Sequence, residues 1–105
     1  MAQETGFFHS VFFWLHDGAD AVRLADGCRT HLAGIPGVHR LTVGFPAGTG
    51  REVVDNSYGV ALFVEFADAA AHDVYQDHPD HLRFIAECSQ LWSRVQVYDA
   101  VPAVR

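Results

Sequence analysis

Residues 6–15, GFFHSVFFWL, are rich in aromatic and β-branched side chains, which is typical of a β-strand. A strand places successive side chains on opposite faces, and both faces of this one are apolar. One face carries Phe7, Val11, Phe13 and Leu15, and the other carries Phe8, Phe12 and Trp14. Leaving several aromatic side chains in water would cost several kcal/mol, at roughly 25 cal/mol per Å² of apolar surface. The segment therefore predicts a sheet that is covered on both faces.

The rest of the chain alternates between helical and strand patterns. The periodicity predicts a helix from residue 20 to about 33, strands at 38–45 and 58–66, a helix at 69–77, a second helix from 79 to about 90, and a strand at 95–101. Asp68 is placed to cap the helix at 69–77, which has to break before Pro79 because the residue before a proline avoids the α region. The order βαββαβ predicts an α+β, ferredoxin-like subunit with an antiparallel sheet and its helices on one face.

The face of that sheet away from the helices is expected to pack against another surface. In a ferredoxin-like subunit this face is normally polar, whereas here it carries aromatic side chains. We predict that it packs against the same face of a second copy, so that a homodimer forms sheet to sheet and closes an α+β barrel. The alternative is that the loop at residues 46–56 covers the face, but this loop is too short for the area involved.

Composition narrows the class of protein. A chain of 105 residues has room for one core, so a single domain over residues 1–105 is expected. Seven Lys and Arg against thirteen Asp and Glu give a net charge of −6, the wrong sign for nucleic acid binding. The apolar runs are far shorter than the roughly 20 residues that span a bilayer, so no membrane partner is expected. Two cysteines and no leader pattern predict a cytoplasmic protein with reduced thiols.

The densest polar cluster is the segment Tyr75-Gln76-Asp77-His78-Pro79-Asp80-His81. His81 lies in the first turn of the helix that Pro79 begins, where the helix dipole disfavours the imidazolium form and favours a ring that accepts a proton. Asp80 beside it acts in the opposite direction. Tyr75, before the break, can lean toward the same space, where a phenol polarises a carbonyl or stabilises an enolate.

His9 shares the face of Phe7, Val11 and Phe13. If the opposite face meets the partner subunit, the face with His9 is the one that the helices cover. A histidine in an apolar row needs a hydrogen-bond partner, and His81 or Tyr75 is the expected one. His81, Tyr75 and His9 are therefore the candidate catalytic residues. The alternative is a buried polar pair whose members only satisfy each other.

The remaining histidines and the two cysteines give weaker indications of a functional site. His16, His31, His39 and His72 fall at strand ends or on polar helix faces and are expected to be solvated. His78 and His81 could offer two metal ligands, but no third ligand follows nearby, so neither a metal nor a cofactor is expected. Cys28 and Cys88 lie on apolar helix faces and are expected to be buried structural thiols.

Three segments together resemble a known family. His9-Ser10-Val11-Phe12-Phe13, Ile35-Pro36-Gly37-Val38 and the segment from Tyr75 to His81, in this order and spacing, are similar to the stress-responsive dimeric α+β barrel (Dabb) family over residues 7 to 100. That family includes stress-induced proteins and a plant polyketide (olivetolic acid) cyclase, which closes its substrate by aldol condensation. The resemblance implies a site formed by His9, Tyr75 and His81. A further tyrosine of the cyclase falls on Cys28 here.

Two functions follow from these observations. The first is a cofactor-independent enzyme that acts on a small apolar carbonyl compound, polyketide-like or aromatic, with His81 as general base. Its substrate-binding walls are expected to be Phe13, Leu24, Cys28, Phe63, Leu82, Phe84 and Ile85. The second is a stress-responsive dimer that binds a small molecule without turnover. A haem- or oxygen-using barrel enzyme is a weaker third possibility, because nothing singles out a haem pocket.

Overall fold

The computed structural model describes residues 6–103 and contains four strands and three α-helices. In chain order these are β1 (Phe7–Leu15), α1 (Ala21–Leu32), β2 (Val38–Gly44), β3 (Val60–Phe66), α2 (Ala69–Asp77), α3 (Pro79–Cys88) and β4 (Trp92–Ala100). Short 3-10 turns at Gly18–Asp20 and Ser89–Leu91 precede α1 and β4. No helix in the described part of the chain is long and apolar enough to cross a membrane.

The four strands form one antiparallel sheet in the order β2-β3-β1-β4, which confirms the predicted ferredoxin-like fold. The segment that predicted the fold, β1, is central and pairs with β3 on one side and β4 on the other. Its pairing with β4 places Asp99 directly across from His9. Because paired residues of adjacent strands share a face, this register brings a carboxylate beside the histidine.

The core lies between one sheet face and the helices. Val11 and Phe13 from β1 are buried there with Leu62 and Val64 from β3, and Leu24 of α1 and Phe84 of α3 pack against them. The alternation in β1 is regular: His9, Val11 and Phe13 are buried, while the residues between them face the other way.

The break between α2 and α3 occurs where Pro79 predicts it. Asp68 caps α2 by accepting a hydrogen bond from the Ala71 backbone N–H at 2.9 Å. His78 leaves the helical conformation with ψ of 139°, and its Nδ1 accepts from the Asp80 N–H at 3.0 Å, so it caps α3. Because Nδ1 of His78 accepts this bond, the proton of the neutral ring is on Nε2.

The turn before β2 depends on one glycine. Gly37 has φ of 93°, a conformation that favours glycine, and a Cβ placed on it would lie 3.1 Å from the Cβ of Ala71. Because glycine has no Cβ, the start of α2 can approach the turn closely.

Two strands begin two or more residues away from the predicted start, while most other boundaries agree to within one or two residues. The final strand begins at Trp92 rather than at residue 95, because α3 ends early in a 3-10 turn. Trp92 then pairs with Leu15 of β1, with a shift in register between Trp14 and Leu15. The third strand begins at Val60 rather than at residue 58, although Gly59 already donates a backbone hydrogen bond to Phe13.

Candidate active site

A cavity of about 210 Å³ lies between the sheet and the helices α2 and α3. Its walls are mostly apolar and its polar groups come from three elements: His9 on β1, Tyr75 and Gln76 on α2, and His81 on α3. The apolar lining residues are Val11, Phe13, Leu62, Phe84, Ile85, Trp92, Val95 and Val97. Val95 and Val97 of the edge strand β4 are 43% and 41% exposed, so the cavity opens on that side.

His9 is buried, and its partner is Asp99 rather than His81 or Tyr75 as the sequence predicted. The Nδ1 atom of His9 lies 2.6 Å from Oδ1 of Asp99. Because a carboxylate only accepts, the ring donates from Nδ1, and in the neutral tautomer Nε2 keeps a free lone pair. Asp99 thus fixes the tautomer and the orientation of the His9 ring.

Tyr75 and His81 face each other across the break at His78, with ring centroids 4.8 Å apart. His9 completes the group, since its ring lies 5.8 Å from that of Tyr75. The structure therefore brings together the three side chains that the sequence singled out.

Burial controls the protonation of these groups. It lowers the pKa of His81 below the ordinary 6.5, and the nearby His9 lowers it further, so His81 is neutral at pH 7. Burial also raises the pKa of Tyr75 well above its ordinary range, so its hydroxyl stays protonated and available as a donor. At neutral pH the His81 ring can therefore accept a proton, while the Tyr75 hydroxyl keeps its proton.

His72 corrects the sequence analysis, which expected it to be solvated. Its ring is only 6% exposed, stacks on Phe7 at 4.3 Å and lies 4.8 Å from the ring of His9. Its Nδ1 is 3.2 Å from Nε2 of Gln76, and its buried Nε2 has no hydrogen-bond partner among residues 6–103. The available signal was its spacing, because His72 precedes Tyr75 by three residues and so lies on the same helix face.

The remaining histidines behave differently from one another. His16 and His39 are exposed, as expected. His31 is not simply solvated, because its Nε2 lies 2.7 Å from Oε2 of Glu87 and its side chain is 14% exposed. This contact links α1 to α3 away from the cavity.

The expected substrate-binding walls are only partly at the cavity. Phe13, Phe84 and Ile85 line it. Leu24 and Cys28 of α1 are fully buried in the core instead, Leu82 is 57% exposed, and Phe63 points to the opposite face of the sheet. Burial raises the pKa of the Cys28 thiol to about 12, so this group is not a nucleophile at neutral pH.

The sequence analysis missed several lining residues. Leu62, Trp92, Val95 and Val97 all face inward from their strands, and strand alternation was the available signal for Leu62. Gln76 was named in the polar segment, and it lies beside His72 because the two residues are four positions apart on the same helix.

Comparison with known proteins agrees with this fold. The family model of the stress responsive A/B barrel domain (Dabb) matches residues 7–102. A Dabb family protein of Mesorhizobium loti with a ferredoxin-like fold is 27% identical, with a TM-score of 0.77 over 95% of this chain and 99% of that one. No curated protein matches the chain.

Two more distant structures share the fold. A dimeric ferredoxin-like protein of Thermobifida fusca is 21% identical, with a TM-score of 0.77 over 97% of this chain and 95% of that one. A hydroxynitrile lyase of Passiflora edulis is 16% identical, with a TM-score of 0.72 over 96% of each chain.

Fold and cavity together define a ferredoxin-like α+β protein with a histidine-lined site between its sheet and its helices. The chain belongs to the stress-responsive A/B barrel domain (Dabb) family, as the match over residues 7–102 shows. The resemblance stated from three short segments is thereby confirmed at the level of the family.

Proposed function

We propose that this protein is a cofactor-independent enzyme that removes a proton next to a carbonyl of a small apolar substrate, with an aldol-type cyclisation as the reaction. The observation that carries the proposal is the grouping of His81, Tyr75 and His9 in an otherwise apolar cavity. Enzymes are known within the fold, since the Passiflora edulis protein is a lyase.

His81 acts as the general base. Its lowered pKa keeps the imidazole neutral at pH 7, and it takes the proton from the carbon beside the carbonyl. The hydroxyl of Tyr75 donates a hydrogen bond to the enolate oxygen that forms. The carbanion then attacks a second carbonyl of the same molecule, a C–C bond forms, and the new alkoxide takes the proton back from His81.

His9 is a positioning residue in this scheme. Its bond to Asp99 holds the ring in one tautomer, and the free Nε2 is the acceptor that this tautomer leaves to the cavity. The carboxylate whose charge favours the protonated form of His81 is that of Asp77, at the end of α2.

The cavity limits the substrate to a small molecule. Its volume of about 210 Å³ exceeds the roughly 150 Å³ of an engineered protein cavity that binds benzene. It is below the roughly 300–1,000 Å³ of sites for drug-sized ligands. A single-ring compound, or a short polyketide chain that folds into one, fits this space and packs against its apolar walls.

The working unit in this proposal is a homodimer. The sheet face away from the helices carries a cluster in which Phe12 contacts Tyr58, Phe63 and Tyr98 at ring distances of 5.1 to 6.0 Å. Phe63 is 42% and Tyr98 61% exposed in the single chain. Burying this face against a second copy removes the aromatic surface from water, and related Dabb-like structures are dimeric.

The second candidate function is a dimer that binds a small molecule without turnover. In that case His9, Tyr75 and His81 are a structural polar network. In such a network buried polar atoms are expected to be paired. Nδ1 of His81 instead has no partner in the described part of the chain. This orphaned atom favours the catalytic role.

A thermal-shift screen tests the proposal. Wild type, His81→Ala and the exposed-histidine control His39→Ala are melted with a panel of β-polyketo and hydroxyaromatic compounds, since a ligand of the native state raises Tm. We expect at least one compound to stabilise wild type and the control but not His81→Ala, and that compound to be turned over. No stabilising compound, together with a marked loss of Tm in His81→Ala alone, would establish the structural role.

A further inference from the structure

We propose that His9, His72 and Asp99 form a binding site for a divalent transition-metal ion such as Zn²⁺. One ring nitrogen of each histidine and one carboxylate oxygen of Asp99 all lie within 4.8 Å of one another. The three residues come from β1, α2 and β4, so the fold rather than a local sequence motif brings them together. The proposal concerns binding and does not rest on the enzymatic function proposed above.

The first argument is the state of His72. Its ring is 6% exposed, and its Nε2 is buried with no hydrogen-bond partner among the described residues. A buried polar nitrogen without a hydrogen-bond partner destabilises the folded protein, so a ligand that pairs with it is favoured. A metal ion coordinated by Nε2 is such a ligand.

The second argument is the orientation of that ring. Gln76 lies 3.2 Å from Nδ1 of His72 through its amide. In this orientation the amide N–H donates to Nδ1, and metal binding at Nε2 requires the amide to turn over so that its oxygen faces Nδ1. Nδ1–H then donates to Gln76 and Nε2 presents its lone pair, the arrangement that metal-binding histidines normally have.

The third argument is charge and geometry. A histidine coordinates through its neutral ring, and Asp99 supplies negative charge within the group of three ligand atoms. Ligand atoms around a tetrahedral ion stand about 3.4 Å apart, for bonds of about 2.1 Å. The contact of 2.6 Å between His9 and Asp99 therefore has to open, and the side chain of Asp99 is 39% exposed and free to turn.

The donor set selects the class of ion. Two imidazole nitrogens and one carboxylate suit Zn²⁺, Co²⁺ or Ni²⁺, whereas Ca²⁺ and Mg²⁺ require oxygen ligands. Three protein ligands leave a fourth tetrahedral position for water. Coordination also removes His9 from its bond with Asp99, so occupancy is expected to oppose any role of His9 in the neighbouring cavity.

The experiment uses full-length protein freed of metal with a chelator. Co²⁺ is added, and the visible d–d absorption of the four-coordinate ion is followed. Zn²⁺ is then titrated in to displace the Co²⁺. In a separate experiment, Zn²⁺ binding to the metal-free protein is measured by calorimetry. The variants are His72→Phe, which keeps a ring against Phe7 but removes both nitrogens, and Asp99→Asn. The matched control is His31→Phe, another helical histidine paired with a carboxylate outside the cluster.

We expect one Co²⁺ per chain in wild type and in His31→Phe, and at least a 100-fold loss of affinity in His72→Phe and Asp99→Asn. Gln76→Ala is expected to weaken binding by 10- to 100-fold, because it removes only the group that orients His72. Absence of a four-coordinate Co²⁺ spectrum in wild type would overturn the proposal. So would equal affinity in Asp99→Asn, which decides the matter even if His72→Phe fails to fold.

Discussion

Acid should destabilise this protein through the buried His72 and the half-buried His81. Burial lowers the pKa of both rings below the 6.5 that they regain in the unfolded chain. Below pH 6.5 the unfolded state therefore binds more protons than the folded state. The contribution of each ring to the free energy of unfolding is complete above pH 6.5 and is lost as the pH falls toward the folded-state pKa.

The size of the effect follows from linkage. A histidine that titrates at 6.5 when unfolded and stays neutral when folded loses about 1.4 kcal/mol of stability between pH 7.5 and 5.5. His72 and His81 together set an upper limit of about 2.7 kcal/mol. For a chain of this length 1 kcal/mol corresponds to roughly 4–8 °C in Tm, so the limit is a fall of about 10–20 °C.

Urea unfolding at pH 7.5, 6.5 and 5.5, at one fixed protein concentration, measures this dependence. His72→Phe and His81→Phe are each expected to remove about half of the pH-dependent loss. His39→Gln, at an exposed histidine, is expected to leave it unchanged. A loss of the same size in all four proteins, or a wild type as stable at pH 5.5 as at 7.5, would refute the assignment of these rings as buried and neutral.

Three further predictions concern the site, the dimer and the core. Tyr75→Phe keeps the packed ring but removes the donor, so the turnover rate of any accepted substrate is expected to fall by about 10²–10³-fold with Tm changed by only a few degrees. Phe63→Lys places a charge on the aromatic sheet face and is expected to give a monomer by light scattering with an unchanged circular dichroism spectrum. Cys28, fully buried with its pKa raised to about 12, is expected to react with a thiol reagent at neutral pH only as fast as the protein unfolds.

Each of these has a clear opposite outcome. Full activity in Tyr75→Phe would remove the phenol from the mechanism, and a stable Phe63→Lys dimer would place the interface elsewhere. Rapid labelling of Cys28 in native buffer would show that α1 opens more readily than its packing implies.

Much of the fold was predictable from local sequence. Pro79 ends one helix and begins the next because of its own geometry, and the two apolar faces of β1 follow from alternation alone. Strand alternation also suffices to place Phe63 on the face opposite Leu62, so its assignment to the cavity wall was avoidable. Boundaries set by tertiary pairing, such as the start of β4 at Trp92, were not predictable in this way.

The grouping of His9, Tyr75 and His81 was predictable, but the contacts of these residues and most of the cavity walls were not. The bond between His9 and Asp99 joins residues 90 positions apart and depends on strand register, which no local pattern reveals. His72 lies in a helix of only nine residues, and its burial comes from contacts with Phe7 and His9 of β1. Helical spacing predicted that Leu24 and Cys28 are buried, but it cannot distinguish a core position from a cavity wall.

The most direct test of the central claim is proton exchange at carbon. Small aryl ketones and β-diketones are incubated in D₂O with wild type, His81→Gln and His39→Gln. NMR follows the decay of the proton signal from the carbon beside the carbonyl. If His81 is the base, wild type and His39→Gln accelerate exchange saturably, and His81→Gln is slower by about 10²–10⁴-fold. Equal exchange rates in wild type and His81→Gln would contradict the proposed chemistry.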